Sequence, residues 1–370
     1  MTTLAYIVSS HGFGHAARTC AVIESIRRSA PWVTFEVFTG APRWFFEDSL
    51  GEGAIRHHEM VTDLGLVQAN ALDEDLTATL LALEHWAPPP SAEVRALAAR
   101  LRRLECDLVL CDISPLGLAA AREAKRPSVL VENFTWSFIY RGYPELAREF
   151  TPYAEALEEI CRGADHHFQT EPFCTPSEGA WPVAPVSRRP RRSRKEVRQQ
   201  LGIPEDDRMV LVTMGGIEWD YSAIEGELAM LADGTGWLVV PGGSAEPRRQ
   251  GRLIRLPHRS EFYHPDLVHA ADGVVGKLGY STIAEVWSAG VPFAYVPRPR
   301  FPESPPLETW VADHLPHLRI PAEAFVDGSW LRMLHGLFDL QPQAPGSRRG
   351  AEEIAAKVLE RLPGVGEGAH

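Results

Sequence analysis

The sequence predicts an α/β protein with two doubly wound domains, each built on a parallel sheet. Continuous apolar runs of strand length, such as Leu4–Ser9 and Cys106–Asp112, alternate with helix-like segments. This alternation is typical of parallel strands that are covered on both faces. The same pattern starts again at Arg208–Gly216. A chain of 370 residues is also too long for one ordinary hydrophobic core and suits two domains.

Further strands and helices fill both halves. The first half adds strands at Val33–Gly40 and Ser128–Asn133 and helices at Ala16–Arg28 and Leu116–Ala124. The second half adds strands at Gly236–Gly243, Arg252–Pro257, Gly273–Lys277 and Val291–Pro297, and helices at Ser222–Ala232, Ser281–Ala289 and Arg349–Leu362.

A stretch rich in proline and arginine separates the halves and predicts a linker. We therefore place an N-terminal domain at 1–180, the linker at 181–200, a C-terminal domain at 201–348 and a helical tail at 349–370. The basic run Arg188–Lys195 within the linker is interpreted as a solvated hinge.

Composition excludes several classes of protein. A formal charge of −12 argues against a nucleic-acid partner. The five cysteines form no CxxC pair, and no apolar run approaches the roughly 20 residues that span a bilayer. We expect a soluble, cytoplasmic protein without a transmembrane segment. Association with a membrane surface and the oligomeric state stay open.

A glycine turn follows the first predicted strand, and Gly12 and Gly14 fit the loose dinucleotide fingerprint GxGxxA. That fingerprint requires an acidic residue at the end of the second strand, where it holds the ribose hydroxyls. The second strand ends at Gly40, and its acid, Glu36, lies mid-strand. We therefore expect neither NAD nor NADP to bind, and an NAD(P)-dependent enzyme is kept as an alternative.

A second glycine turn, Gly276–Thr282, leads into a predicted helix in the second half. Small residues at a helix N-terminus present free N–H groups and the positive end of the helix dipole to a phosphate. Glu285, one turn into the helix, is placed to accept ribose hydroxyls. The alternative is an ordinary helix that Ser281 caps, with Glu285 in solvent.

Several motifs resemble known sequences. The segment GKLGYSTIAEVWSAGVP resembles the donor-binding segment of GT-B glycosyltransferases, above all those that add N-acetylglucosamine to the peptidoglycan precursor. HGFGHAAR, LVQANALDED, LVLCDISP and ENFTWSFIY resemble the glycosyltransferase-like N-terminal half of plant L-arabinokinases. The resemblance runs from about Leu4 to Asp313 and implies the GT-B fold, two Rossmann-like domains with a cleft between them.

This resemblance implies a nucleotide-diphosphate sugar, most simply a UDP-sugar, as co-substrate in the second half. Gly215 and Gly216 would approach the diphosphate, Lys277 would supply a counter-charge, and Glu285 would hold the ribose. The other implied donor residues are the cradle Gly279, Tyr280, Ser281 and Thr282, the base neighbours Leu256 and Pro257, and Glu303 at the sugar hydroxyls. Asp73–Asp75 is predicted in a loop or helix start, so we expect no metal and no cofactor.

On the acceptor side, His15 and Asp112 lie at two predicted strand ends and resemble the base and orienting carboxylate of plant nucleotide-sugar transferases. His11 is the alternative base, and purely structural roles for all three stay open. Gly12 and Gly14 would flank the histidines. Asn133 and Trp136 either line the acceptor pocket or belong to the core.

The sequence therefore predicts a glycosyltransferase, hexosyl- or N-acetylhexosaminyl-transferring and inverting, with an unidentified acceptor hydroxyl. Besides the NAD(P) enzyme, two alternatives are kept. One is an enzyme resembling the sugar-nucleotide 2-epimerases, which share this scaffold. The other is a non-catalytic nucleotide-sugar-binding protein, which would have no need of His15 and Asp112.

Overall fold

A computed structural model describes residues 2–68, 73–215 and 236–362. The chain divides into two compact units. The first unit comprises Met1–Ser187, Phe301–Glu303 and Arg348–His370, and the second comprises Arg188–Arg300 and Ser304–Ser347.

The stretch expected to be a linker has regular structure. Trp181–Val183 is a strand of the first unit, and Arg194–Leu201 is a helix of the second unit. Within the basic run, residues 191–195 are exposed, as a solvated stretch requires, whereas Arg188 is only 7% exposed. Arg194 forms an ion pair with Asp272 of the second unit.

The described residues of the first unit form a parallel seven-stranded sheet with the order β3-β2-β1-β4-β5-β6-β7. Its strands are β1 Thr3–Val8, β2 Thr34–Thr39, β3 Arg56–Glu59, β4 Leu108–Asp112, β5 Ser128–Glu132, β6 His166–Thr170 and β7 Trp181–Val183. The order reverses between β1 and β4. Ligands of open α/β sheets bind at such switch points, outside the carboxyl ends of the strands.

Helices cover both faces of this sheet. They are α1 Phe13–Ser29, α2 Arg43–Leu50, α3 Leu76–Trp86, α4 Ser91–Arg103, α5 Pro115–Ala124, α6 Trp136–Arg141 and α7 Ala147–Arg162, with a 3₁₀ turn at Pro144–Leu146. The predicted tail helix is present at Gly350–Leu359. Its residues Ile354 and Val358 share a core with Val22 and Ile23 of α1. The end of the chain thus completes the first unit.

The described residues of the second unit form another seven-stranded sheet, ordered β10-β11-β9-β8-β12-β13-β14. Its strands are β8 Met209–Thr213, β9 Trp237–Pro241, β10 Arg248–Gln250, β11 Leu253–Leu256, β12 Gly273–Lys277, β13 Phe293–Val296 and β14 His317–Arg319. All neighbours are parallel except β10 and β11. The switch point lies between β8 and β12.

The helices described in the second unit are α8 Arg194–Leu201, α9 His264–Ala270, α10 Tyr280–Ala289, α11 Ser304–His314, α12 Ala322–Asp327 and α13 Leu334–Asp339, with a 3₁₀ turn at Ser329–Met333. The terminal Gly350–Leu359 helix is called α14. The helix predicted at Ser222–Ala232 lies outside the described residues. The α/β class with two doubly wound sheets is confirmed. Within residues 2–68, 73–215 and 236–362, no helix has both the length and the apolar character to cross a bilayer.

Candidate active site

The switch point of the first sheet carries the two predicted catalytic residues. Gly12 is the N-cap of α1 and has φ of 80°, in the left-handed region that glycine adopts without strain. It turns the chain from β1 into α1, whose first turn holds Gly14 and His15. Asp112 ends β4, directly beside Val8 of β1. Both side chains are therefore carried by rigid elements at one edge of the sheet.

His15 and Asp112 are hydrogen-bonded. His15 Nδ1 lies 2.7 Å from Asp112 Oδ1, and the two residues are 7% and 0% exposed. Because a carboxylate only accepts, Nδ1 carries a proton, and in the neutral imidazole Nε2 then has the free lone pair. This is the arrangement of a general base with an orienting carboxylate.

Arg18, which the sequence analysis did not single out, bonds both carboxylate oxygens of Asp112, including the one that His15 bonds. Its Nη2 donates to Oδ1 and its Nε donates to Oδ2, both at 2.7 Å, and the residue is 1% exposed. Burial on its own would raise the pKa of Asp112, but the Arg18 guanidinium and His15 outweigh it, so the pKa lies below its usual value of 3.8. Asp112 is therefore ionised at neutral pH.

Asn133 extends the network away from Arg18. Its Oδ1 accepts from Arg18 Nη1 at 2.7 Å, and its Nδ2 donates to Glu303 Oε1 at 2.7 Å. Glu303 was expected among the donor residues of the second half, whereas the structure groups it with the first unit. With both ends of its amide bonded, Asn133 fixes Arg18 and Glu303.

His11 contacts different residues from those that His15 contacts. Its Nε2 is 3.2 Å from Gln68 Nε2, and its ring meets the Trp136 ring edge-on at 5.2 Å. Trp136 is 2% exposed and donates from Nε1 to Asp63 Oδ2 at 2.8 Å. Trp136 is therefore a core residue that supports His11. His15, by contrast, is hydrogen-bonded to the Asp112 carboxylate at 2.7 Å, which suits the role of the base.

In the second unit, the predicted phosphate turns lie at the switch point between β8 and β12. Gly215 has φ of 67°, and a β-carbon built on it would lie 4.0 Å from Lys277 Cε and 4.0 Å from Thr282 Oγ1. The structure thus brings these three residues together. Gly216 lies outside the described residues.

Helix α10 begins at this turn with an uncapped N-terminus. Gly279, and not Ser281, is the N-cap, and no side chain described there caps the helix. A β-carbon at Gly279 would meet no other described residue within 4 Å. A helix N-terminus without a side-chain cap is the kind of site that receives anions. The alternative in which Ser281 caps the helix is wrong.

Glu285 is buried in this unit and not in solvent, as that alternative required. It is 2% exposed; its Oε1 accepts from Arg188 Nη2 at 2.9 Å, and its Oε2 accepts from His264 Nδ1 at 2.7 Å. Burial opposes ionisation, but the charges of Arg188 and His264 outweigh it and lower the pKa of Glu285 to about 2. Any ribose hydroxyl at Glu285 would therefore share a carboxylate that already has two partners.

The remaining predicted residues lie as follows. Leu256 ends β11 with its side chain in the core, and Pro257 follows it half-buried. Glu36 is fully buried and bonds Arg56 and His58. Asp75, from the stretch rejected as a metal clamp, caps α3 by accepting from the Ala78 N–H. Across residues 2–68, 73–215 and 236–362, no cluster of three His, Cys, Asp or Glu side chains is arranged for a metal; metal independence stays a prediction.

Comparison with solved structures assigns the fold class. The chain is similar to the glycosyltransferase SnogD from Streptomyces nogalater (17% identity, TM-score 0.58, 98% of this chain and 100% of that one). It is also similar to MurG from Acinetobacter baumannii (13%, TM-score 0.57, 97% and 100%). A UDP-glucosyltransferase from Polygonum tinctorium gives 14% identity and a TM-score of 0.59 over 96% and 97% of the two chains. The protein has the GT-B fold.

One curated protein is similar at the level of sequence. L-arabinokinase from Arabidopsis thaliana is 32% identical over 363 residues, which is 96% of this chain. The chain spans 34% of that relative's length. The resemblance expected from the motifs is confirmed. No model of a protein family matches the chain.

Proposed function

We propose that this protein is a glycosyltransferase that moves a sugar from a nucleotide-diphosphate donor to an acceptor hydroxyl, with inversion at the anomeric carbon. The observation that carries the proposal is the buried 2.7 Å hydrogen bond between His15 and Asp112 at the switch point of the first sheet. A non-catalytic sugar-nucleotide sensor has no need of an oriented base there. A fold alone does not define an activity, so the argument rests on this site.

In the proposed reaction, His15 Nε2 takes the proton of the acceptor hydroxyl while its oxygen bonds to the anomeric carbon. The bond from that carbon to the diphosphate oxygen breaks, and the nucleoside diphosphate leaves with the electron pair. Asp112 keeps the Nδ1 proton in place and stabilises the imidazolium that forms. Because one displacement opposite the leaving group completes the transfer, the configuration inverts.

Arg18 makes this arrangement rigid. Its two hydrogen bonds hold both carboxylate oxygens of Asp112, and one of them shares Oδ1 with His15. They also keep Asp112 ionised, so that it accepts from Nδ1 and does not donate to it. The positive charge of Arg18 partly offsets the carboxylate and moderates how strongly Asp112 stabilises protonated His15. We therefore assign Arg18 as a positioning residue.

For the donor, we propose that the diphosphate binds to the N-terminus of α10 and the turn after β8. The support is the helix start at Gly279 without a side-chain cap, the lack of other described atoms within 4 Å of a Gly279 β-carbon, and the approach of Gly215 to Lys277. Backbone N–H groups and the lysine ammonium would stabilise the charge that grows on the leaving diphosphate. A UDP-sugar is the simplest donor, since similar structures include a UDP-glucosyltransferase.

The test is a thermal-shift screen of UDP-, dTDP-, GDP- and ADP-sugars. A ligand that binds only the folded protein raises its melting temperature, in proportion to the logarithm of ligand concentration over Kd at high occupancy. We expect one nucleotide class to stabilise the protein, and its nucleoside diphosphate to do so as well. If no nucleotide sugar shifts the melting temperature at millimolar concentration, the proposed donor site is wrong.

A further inference from the structure

The first unit contains a cavity of about 370 Å³ that the proposed transfer does not use. Its walls come from the start of α6, the C-terminal half of α7, the ends of β5 and β6 and the loop after β6. The described residues that line it do not include His15, Asp112 or Arg18. Its volume falls in the range of small-molecule sites.

Glu132, the last residue of β5, supplies a buried carboxylate to this cavity. Its side chain is 2% exposed. Oε1 accepts hydrogen bonds from His167 Nε2 and Gln169 Nε2, both at 2.8 Å. No residue in the described ranges of the chain donates to Oε2. Oε2 of this lining residue is therefore left to accept from a ligand or from water in the cavity.

The charges around the cavity define the ligand further. Arg141 and Arg162 at the rim both donate to Glu158. Two guanidinium groups thus balance the carboxylates of Glu158 and Glu132. A lining without net charge favours neither an anion nor an ammonium ion over a neutral molecule.

Two phenylalanine side chains, Phe134 and Phe138, contribute apolar surface to the same walls. A site that combines apolar aromatic surface with a hydrogen-bond acceptor suits a ligand that has both C–H faces and hydroxyl groups. Glu132 Oε2 would accept from a hydroxyl in a charge-assisted hydrogen bond.

We propose that this cavity is a second binding site, for a neutral carbohydrate, in which a sugar hydroxyl donates to Glu132 Oε2. The site goes beyond the proposed transfer, because its lining includes neither His15 nor Asp112 nor the phosphate turns of the second unit; the Phe134 ring meets the His15 ring edge-on, with 5.9 Å between centroids. The two proposals can therefore fail independently.

The probe is a panel of neutral pentoses and hexoses at millimolar concentration, observed by saturation-transfer NMR with the full chain. We expect at least one sugar to bind, and Glu132→Gln to weaken that binding about tenfold or more, the scale of a charge-assisted hydrogen bond. Glu159→Gln, an exposed change on α7 outside the cavity lining, is the matched control and should bind as wild type does.

Glu132→Gln should melt at the wild-type temperature or above it, because it removes a buried charge that no arginine or lysine pairs. If it fails to fold, Phe138→Leu is the second variant; it removes the aromatic face, and binding should fall several-fold. The proposal is overturned if no neutral sugar binds, if Glu132→Gln or its substitute binds like wild type, or if glucosamine binds more tightly than glucose. Displacement of the sugar by a nucleoside diphosphate would also overturn it, since the sugar would then occupy the donor site.

Discussion

Asp112→Asn removes a negative charge that three hydrogen bonds hold inside the first unit. His15 Nδ1, Arg18 Nη2 and Arg18 Nε each lie 2.7 Å from a carboxylate oxygen. Arg18 is 1% exposed, so the variant removes the carboxylate charge that two hydrogen bonds hold against a buried guanidinium. The asparagine Nδ2 also places a donor against one of these donors. Removing one partner of a buried ion pair typically costs about 3–5 kcal/mol.

The assay is urea unfolding at neutral pH, followed by circular dichroism, with the free energy of unfolding compared at equal slope. Asp63→Asn is the matched control. Asp63 is also buried and accepts from Trp136 Nε1, but burial raises its pKa, and no ion pair holds it in the described part of the chain. We expect it to change stability by about 1 kcal/mol or less. If Asp112→Asn destabilises the protein no more than Asp63→Asn does, Arg18 does not depend on Asp112 for its charge balance.

Two further predictions concern the second unit. The pKa of Glu285 is about 2 against a usual 4.5, so its carboxylate stabilises the folded protein above pH 4.5, and this stabilisation is lost as the pH falls toward 2. Glu285→Gln should remove this contribution, roughly 3 kcal/mol of unfolding free energy at neutral pH, and so flatten the acid side of the stability curve. An unchanged curve would contradict the ion pair with Arg188. Gly279→Ala should fold normally, since φ is −155° and the added methyl group meets no other described residue within 4 Å, yet it should weaken nucleotide-sugar binding in calorimetry. Gly336→Ala, which also meets no described residue, should leave nucleotide-sugar binding unchanged. Equal affinities for both variants would show that the diphosphate does not bind at α10.

The strands and their order of succession follow from short-range patterns. Runs such as Leu108–Asp112 are buried along their whole length, as a continuous apolar pattern predicts for a parallel sheet. Glycine at a strand end followed by a helix-like segment predicted both turns, although the helices begin at Phe13 and Tyr280, before the predicted starts at Ala16 and Ser281. These features depend on a few neighbouring residues and can therefore be deduced from one sequence.

The sequence did not predict the partners of the buried charges, because these partners lie far away along the chain. Glu285 is bonded by Arg188, 97 residues earlier, and the arginine-rich pattern there indicated a solvated hinge. Glu303 lies beside Asn133, 170 residues away. Arg18 was missed although its spacing held a signal: an arginine three residues after His15 lies on the same face of a helix.

The measurement that tests the central claim most directly compares His15→Ala with wild type in two assays, once a donor has been identified. Release of nucleoside diphosphate, driven by a mixture of small alcohols and phenols as acceptors, reports transfer. Calorimetry with the donor alone reports binding in the second unit. The account predicts unchanged donor affinity and a rate about 10²–10⁴ lower, the usual contribution of a positioned base. His11→Ala, on the same turn, should lose much less. Near-wild-type release by His15→Ala, or a larger loss with His11→Ala, would contradict the assignment of His15 as the base.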